Sequence, residues 1–399
     1  MRCTEQGGGR LWGWGPTTKK TMNEDKATRY HRLGRKASIL STAWSLVLLS
    51  GLLLTGASGA LRVWASSASS LIGAAGSPSA IVAFYVLVLS LIVDAAMLPL
   101  GFYKGFFLER RYGLATETTG HWLKDHLKAV AVGLLFAEIG ALFVYATLRH
   151  WPGAWWAMSG LAYSAVIIVL VNLAPVVLLP LFYTFKPLEK DTLRDRLTAL
   201  AAQAGTSIKG VYEWTLSDRT KKANAALTGM GRTRRILLSD TLLAEYSDDE
   251  IEVILAHELA HHVHRDIWSA VALDALLAFA GFYAAHQVLI RAVPFFGLQD
   301  ASDPAGIPVL LIAAGALGLV VKPLLNAVSR SHERRADRYA LRMTKNPAAF
   351  LSAMRRLGQQ NLAEEYPSPM VRWLFYSHPP IRERIDAARA FAREGSHAA

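Results

Sequence analysis

The sequence predicts a mainly α-helical, polytopic membrane bundle of about six spans that carries a cytoplasmic domain. Three observations lead there. The 399 residues are 52% hydrophobic and only 19% charged, whereas soluble domains carry about 25% charged residues. Six stretches are long and apolar enough to cross a hydrocarbon core, which takes roughly 20 residues of helix. Linkers rich in Lys and Arg alternate with linkers poor in them, as six crossings demand. The mean hydropathy of +0.24 also excludes intrinsic disorder. Cys3 is the lone cysteine, which excludes an intrachain disulfide framework and every zinc site built on thiolates. A metal in this chain is held by His, Asp or Glu.

Residues 1–37 read as a disordered basic N-terminal tail, with Gly7, Gly8 and Gly9 and eight Lys or Arg from Arg10 to Lys36. Residues 38–185 hold spans one to four with short loops. Span one, 39–55, is uncharged; span two, 81–103, contains Asp94; span three, 129–148, contains Glu138. Span four, 155–185, is broken by Pro175 and Pro180, which predict a kink or tilt. Small residues at Ala57, Gly59 and Ala60 give span one the look of a signal peptide, but the long tail before it favours an uncleaved anchor. The sequence leaves open whether Met1 or Met22 begins the mature chain. Residues 186–266 form a cytoplasmic segment and 267–328 hold spans five and six. Span five, 267–289, carries Asp274 and His286, and span six, 307–321, ends at Lys322 and Pro323. Buried helices of a soluble core are the alternative for these two. Residues 329–399 form a cytoplasmic C-terminal segment.

Charge fixes the orientation. Lys104, Arg110, Arg111 and Lys124 lie between spans two and three, and the two polar blocks are also basic. The linkers around Arg62, Arg149 and Arg291 are nearly free of basic residues. Both termini and both polar blocks therefore face the cytoplasm, in an integral membrane location expected to be a bacterial-type plasma membrane. The net charge of +12 follows this topology, so no nucleic-acid partner is expected. Asp94, Glu138 and Asp274 sit inside spans, where an unpaired charge costs at least ~2.5 kcal/mol. Each should face an ionic partner or water rather than lipid.

The chemistry lies between spans four and five. Ser247 followed by Glu250 is a capping box, Asp248 and Asp249 suit a helix N-terminus, and Ile251, Ile254 and Leu255 supply an apolar stripe. On that helix His257 and His261 are one turn apart, so both imidazoles leave one face and can share an ion. Glu258 lies beside them, and the whole is the H-E-x-x-H pattern of a zinc helix. A surface helix with two solvated histidines is the alternative. His262 and His264 turn off the shared face. A catalytic zinc needs a third donor and an open position. Glu333 and Asp337, after span six, also share a helix face, with Glu333 as candidate ligand and Asp337 as the carboxylate orienting an imidazole. A charged helix with i,i+4 ion pairs explains that string equally well by spacing alone.

These residues resemble the integral-membrane zinc metalloproteases called type I CAAX prenyl proteases, within the wider gluzincins. His257-Glu258-Leu259-Ala260-His261 matches their zinc helix, and Glu333-Arg334-Arg335-Ala336-Asp337 resembles their E-x-x-A-D. The stretch from Ser377 and His378 to Arg384 and Ile385 resembles their S/T-H-P-x-x-x-x-R-I, and Asn224 to Gly229 their N-A-x-x-x-G, followed by a strand and turn at 235–243. The loop from Leu108 to Leu114 favours the CAAX branch over the heat-shock quality-control branch. Eukaryotic members have seven spans, against six here.

The resemblance implies a fold in which the membrane bundle carries a cytoplasmic zinc-metalloprotease domain containing a small β element, with a hollow, water-filled chamber in the membrane. It implies one zinc ion on His257, His261 and Glu333, and a catalytic set of Glu258, His378, Arg384 and Asp337. Glu258 is the general base, while His378 and Arg384 steady the oxyanion. A loop histidine and a solvated arginine are the alternatives for the last two. Asn224 and Ala225 are implied to bind the substrate backbone by strand addition. The activity expected is endopeptidase cleavage by a zinc-activated water, on peptide or protein substrates that are prenylated or membrane-embedded. Membrane quality control and a catalytically silent scaffold are the alternatives. Substrate identity, cleavage position and oligomeric state are not legible in the sequence.

Overall fold

The computed structural model describes residues 25–229 and 233–397. Six of its helices are long and apolar enough to cross a membrane. The first, α1 (Lys26–Leu54), is capped by the Asp25 side chain on Thr28 N–H. Residues 26–37, expected to belong to a disordered tail, are therefore helical. The reason is tertiary: Arg35 pairs with Glu364 at 2.6 Å, and Tyr30 bonds Glu109. The rest of that expected tail, 1–24, lies outside the described residues.

A second departure follows at once. The stretch around Arg62, expected as a linker, is a helix, α2 (Ala57–Leu71). Its polar face has partners at one end of the bundle. Ser58 Oγ sits 2.6 Å from Tyr85 OH and donates to Ala305 O at 2.6 Å, and Arg62 pairs with buried Asp303 at 2.8 Å. Span two is α3 (Pro78–Phe102), continued by a π turn (Tyr103–Phe107) and α4 (Leu108–Arg111). Span three is α5 (Thr119–His150). Span four bends as its prolines predict: α6 (Trp155–Leu173) passes through a π turn (Ala174–Leu178) into α7 (Leu179–Phe182).

The polar block begins with β1 (Phe185–Pro187), α8 (Asp191–Gln203), β2 (Gly210–Trp214), β3 (Ala225–Thr228) and β4 (Arg235–Ser239). The sheet order is β1-β2-β4-β3, which leaves β3 on an edge, antiparallel to β4. Next come α9 (Asp240–Glu245), α10 (Asp248–Val263) and span five, α11 (Asp266–Phe296). Span six was expected to end at Lys322 and Pro323, but the helix runs through them as one element, α12 (Ile307–Thr344). Pro323 lacks only the one donor that would point to Leu319 O, and Pro323 itself is buried against the bundle. The chain closes with α13 (Pro347–Gln360), α14 (Pro369–Phe375) and α15 (Ile381–His397).

Two main cores result. One joins α8, β2, β4, α10, α13 and α15 through Leu193, Leu197, Ile236, Leu238, Leu255 and Phe350. The other lies in the bundle around Tyr85, Tyr145, Trp155 and Leu289. Leu54, Leu161 and Val320 are well exposed on the outside of the bundle, as lipid-facing residues should be. Inside it, a cavity of about 940 Å³ lies between α3, α5, α6, α11 and α12. Asp94 and Asp274 both line it, and Asp94 also meets His126 at 3.3 Å. Glu138 Oε2 is buried without a hydrogen bond.

The bundle closes tightly where α6 meets α11. A Cβ on Gly160 would stand 2.9 Å from the Phe279 ring. Gly160→Val should therefore destabilise the protein by about 1–3 kcal/mol, read as a lower midpoint of thermal unfolding in detergent. An unchanged midpoint would mean that this crossing is not close-packed.

Candidate metal centre

The zinc-type helix α10 forms for local reasons. Ser247 Oγ accepts from Glu250 N–H, and Glu250 Oε2 accepts from Ser247 N–H at 2.8 Å, closing the capping box. Ile251, Leu255 and Leu259 are buried on the core side. The helix stops at Arg265, whose φ of 57° is left-handed, and α11 starts directly at Asp266. Helix α12 packs along α10, and Ala256 and Ala260 on one and Ala336 and Ala340 on the other are fully buried. Small residues let such backbones approach closely, and they present Glu333 to both histidines.

The geometry is convergent. His257 Nε2 lies 3.2 Å from Glu333 Oε2, and His261 Nε2 lies 3.6 Å from Glu333 Oε1. One donor atom from each of the three residues fits within 4.8 Å of the others. Behind the rings, His257 Nδ1 meets Asp337 Oδ1 at 2.9 Å, and His261 Nδ1 meets Asp266 Oδ2 at 2.9 Å. A carboxylate only accepts, so each Nδ1 carries a proton, and each Nε2 can offer a lone pair to a cation in place of a second proton. Against the cost of burial, Asp337 and Glu333 raise the His257 pKa to about 9. Glu333 is buried, and its Oε2 has no hydrogen bond. Two imine lone pairs and an orphaned carboxylate oxygen suit one divalent cation of the zinc type.

The remaining expected residues surround this point. Glu258, His378, Arg384, Asn224 and Ala225 line a cleft of about 380 Å³ together with His257, His261 and Glu333. Burial pushes the Glu258 carboxyl above the usual carboxylate range. His378 Nε2 reaches Glu333 Oε1 at 3.4 Å. Arg384 donates Nε and Nη2 to Asp337 at 2.9 and 2.6 Å. Asp337 thus sits behind His257 and does not line the cleft. Directly before β3, Asn224 C=O accepts from Ser239 N–H of β4 at 3.0 Å, and Asn224 N–H donates to the Ser239 hydroxyl at 3.0 Å. Alternation along an antiparallel ladder then leaves the Ala225 N–H and C=O on the open edge. His262 faces Leu227 O at 3.4 Å and His264 packs on the Tyr339 ring, so neither joins the centre.

Asp266 is the residue that sequence reasoning missed. It is buried, it holds His261, and it also binds Arg335 of α12. Helical spacing does not reach it, because the left-handed turn at Arg265 folds it back. An acidic residue directly before an apolar span was the available signal.

Comparison with known proteins follows the same lines. A family model described as "Peptidase family M48" matches residues 187–392. Another, described as "CAAX prenyl protease N-terminal, five membrane helices", matches residues 18–184, where this structure has four span-length helices and the shorter α2. An uncharacterized metalloprotease, YhfN of Bacillus subtilis, is 32% identical over 308 residues, covering 76% of this chain and 72% of its own. CAAX prenyl protease 1 of Saccharomyces cerevisiae is 29% identical, covering 75% and 69%. The crystal structure of S. mikatae Ste24p superposes with a TM-score of 0.83 at 24% identity, over 91% of this chain and 88% of that one.

The Asp266 contact makes a prediction that sequence spacing does not. Asp266→Ala frees the His261 ring, and metal affinity should fall about 10–100-fold in a competition titration against a chromogenic chelator. Unaltered affinity would show that His261 needs no such support.

Proposed function

The chain belongs to peptidase family M48, and from that premise we propose how its residues cut a peptide bond and which substrate they take. It is a multi-pass membrane metalloendopeptidase acting on peptides or proteins. The observation that carries the site assignment is the convergence of the two Nε2 atoms on the buried Glu333 carboxylate. His257, His261 and Glu333 hold one zinc ion. When bound, zinc supplies Lewis acidity toward the scissile carbonyl and the attacking water.

The protein's own groups do the rest. Glu258 takes a proton from the attacking water onto its carboxylate and delivers it to the leaving nitrogen. Its raised proton affinity suits a group that must hold that proton between the two steps. His378 donates toward the oxygen that gains charge, and Arg384 does so with Nη1, since Nε and Nη2 are held by Asp337. Asp337 acts through others: it fixes the His257 tautomer and the Arg384 plane. Asn224 and Ala225 hold the substrate backbone as an added strand on the open edge of β3.

For the substrate, a protein bearing a prenylated C-terminal motif is the best-supported reading. Its basis is the likeness to the CAAX prenyl proteases, together with a largely apolar cavity in the bundle that can accommodate a lipid chain. The zinc site and both termini lie on the cytoplasmic side, in keeping with the basic segments at Lys104, Arg110, Arg111 and Lys124.

Glu258→Gln should keep stoichiometric metal and lose activity at least about 10²-fold, and normal turnover by it would refute the assignment of the base. A strong chelator should abolish cleavage and added zinc restore it. Assay of a farnesylated CAAX peptide beside an unmodified unfolded membrane protein decides the substrate; faster cleavage of the second would move the chain to quality control.

A further inference from the structure

Along α12 the exposed apolar side chains run through Leu319, Val320, Leu324 and Leu325. Beyond them Asn326 and Arg330 are buried and turned toward other elements. From Ile307 to Leu325 the helix rises about 27 Å, close to the ~30 Å of a hydrocarbon core. The border of the lipid on the side of the polar domain therefore falls near Asn326. A headgroup layer roughly 5–8 Å deep follows it.

Helix α14 is fastened at that level. Asn326 Nδ2 donates to the carbonyl oxygens of Trp373 and Leu374 at 3.3 and 2.9 Å. Arg330 Nη1 donates to those of Arg372 and Tyr376 at 3.2 and 2.5 Å. One turn before Asn326, the Lys322 ammonium lies 5.4 Å from the centre of the Phe375 ring. Asn326 and Arg330 are about 6 Å apart along the axis of α12. The last turn of α14 is thus held within a slab about as deep as the headgroup layer.

The outward face of α14 carries no charge. Its one charged residue, Arg372, is paired with Glu383 at 3.1 Å. Met370 and Trp373 are three apart and share a face, and they are 71% and 54% exposed. Tyr366, just before the helix, is 70% exposed. Tryptophan and tyrosine concentrate at headgroup level, where one part of the ring is apolar and another is wet. Helices that lie on a membrane bury an apolar face about 5–10 Å into the same zone.

We propose that α14 is a membrane-seated helix, with Met370 and Trp373 entering the bilayer surface beside the sixth span. Lipid is the occupant, rather than a second protein, because the patch stands at the lipid border and continues the exposed apolar side of α12 at Leu324 and Leu325. The polar domain thereby gains a hold on the bilayer besides the spans themselves. Because α14 leads directly into Tyr376, Ser377 and His378, the membrane surface also sets the height of one wall of the cleft. This seat stands whatever chemistry the metal centre performs.

The lone cysteine of the chain makes a direct test possible. Cys3→Ser removes it, and Met370→Cys or Trp373→Cys then places a single nitroxide label on the full-length protein in phosphatidylcholine vesicles. Val320→Cys in the sixth span and Asp195→Cys on α8 serve as references for lipid and for water. Power saturation by oxygen, which concentrates in lipid, and by a water-soluble nickel chelate reads the depth of each label. Labels at positions 370 and 373 should be more accessible to oxygen than to nickel, shifted toward the Val320 reference. A nickel preference equal to that of the Asp195 reference would place the face in water and overturn the proposal. Low access to both reagents would mean that protein covers the face, and would overturn it as well. Should one labelled protein fail to insert, the other carries the test. Tryptophan quenching by lipid brominated near its carbonyl groups gives a reading without labels. Trp373→Phe should lower the quenched emission, and an unaltered value would count against the seat.

Discussion

A buried carboxylate facing two imidazoles is the constraint around which this molecule is arranged. Glu333 is taken from water with one oxygen unpartnered, an arrangement that is costly unless positive charge neutralises it. Against burial, His257, His378 and Arg384 favour its charged form and hold the carboxyl down to about 2. Glu258, Glu333, Asp337 and Asp266 gather here against the guanidinium groups of Arg384 and Arg335. A proton on the His257 imidazole, or a divalent cation in its place, balances the carboxylates gathered here. The packing of α10 on α12 and the affinity for a cation are thus two views of one energy.

That coupling also explains why the polar domain and the membrane bundle cannot be separated. The proposed ligands come from a helix of the polar domain and from the far end of the sixth span. Asp266 is the first residue of the fifth span and reaches back to His261, while Arg335 of α12 binds it from the other side. The end of the bundle remote from the site is tied by the Arg62–Asp303 pair and the Ser58 hydroxyl. Bundle and site therefore share their supports.

How much of this was legible in the sequence depends on the range of each interaction. The zinc-type helix was readable because its capping box, apolar stripe and i,i+4 histidines are all local. The six spans were readable because their apolar runs and the alternation of basic and base-poor linkers are properties of the sequence itself. Glu333 was not readable from spacing, since a charged helix of the same composition forms ion pairs just as well; the likeness to a family was needed. Asp266 escaped because a left-handed residue interrupts the periodicity before it. The helical state of 26–37 escaped because Tyr30 and Arg35 find partners at Glu109 and Glu364, far along the chain. Helix α2 looked like a linker because its Ser58 and Arg62 are satisfied by residues of other elements. Apart from the His261–Asp266 contact, which spans five residues, the stabilising contact in each missed case is long-range.

The unbroken course of α12 has a mechanical consequence. From Ile307 to Glu333 the helix is a rod of about 39 Å, anchored in lipid at one end and touching the histidines at the other. Tilting such a lever by ~5° about its outer end displaces the inner end by ~3 Å, comparable to the whole His257–Glu333 separation. A change in the tilt of this helix against its neighbours in the bundle would therefore carry Glu333 away from His257.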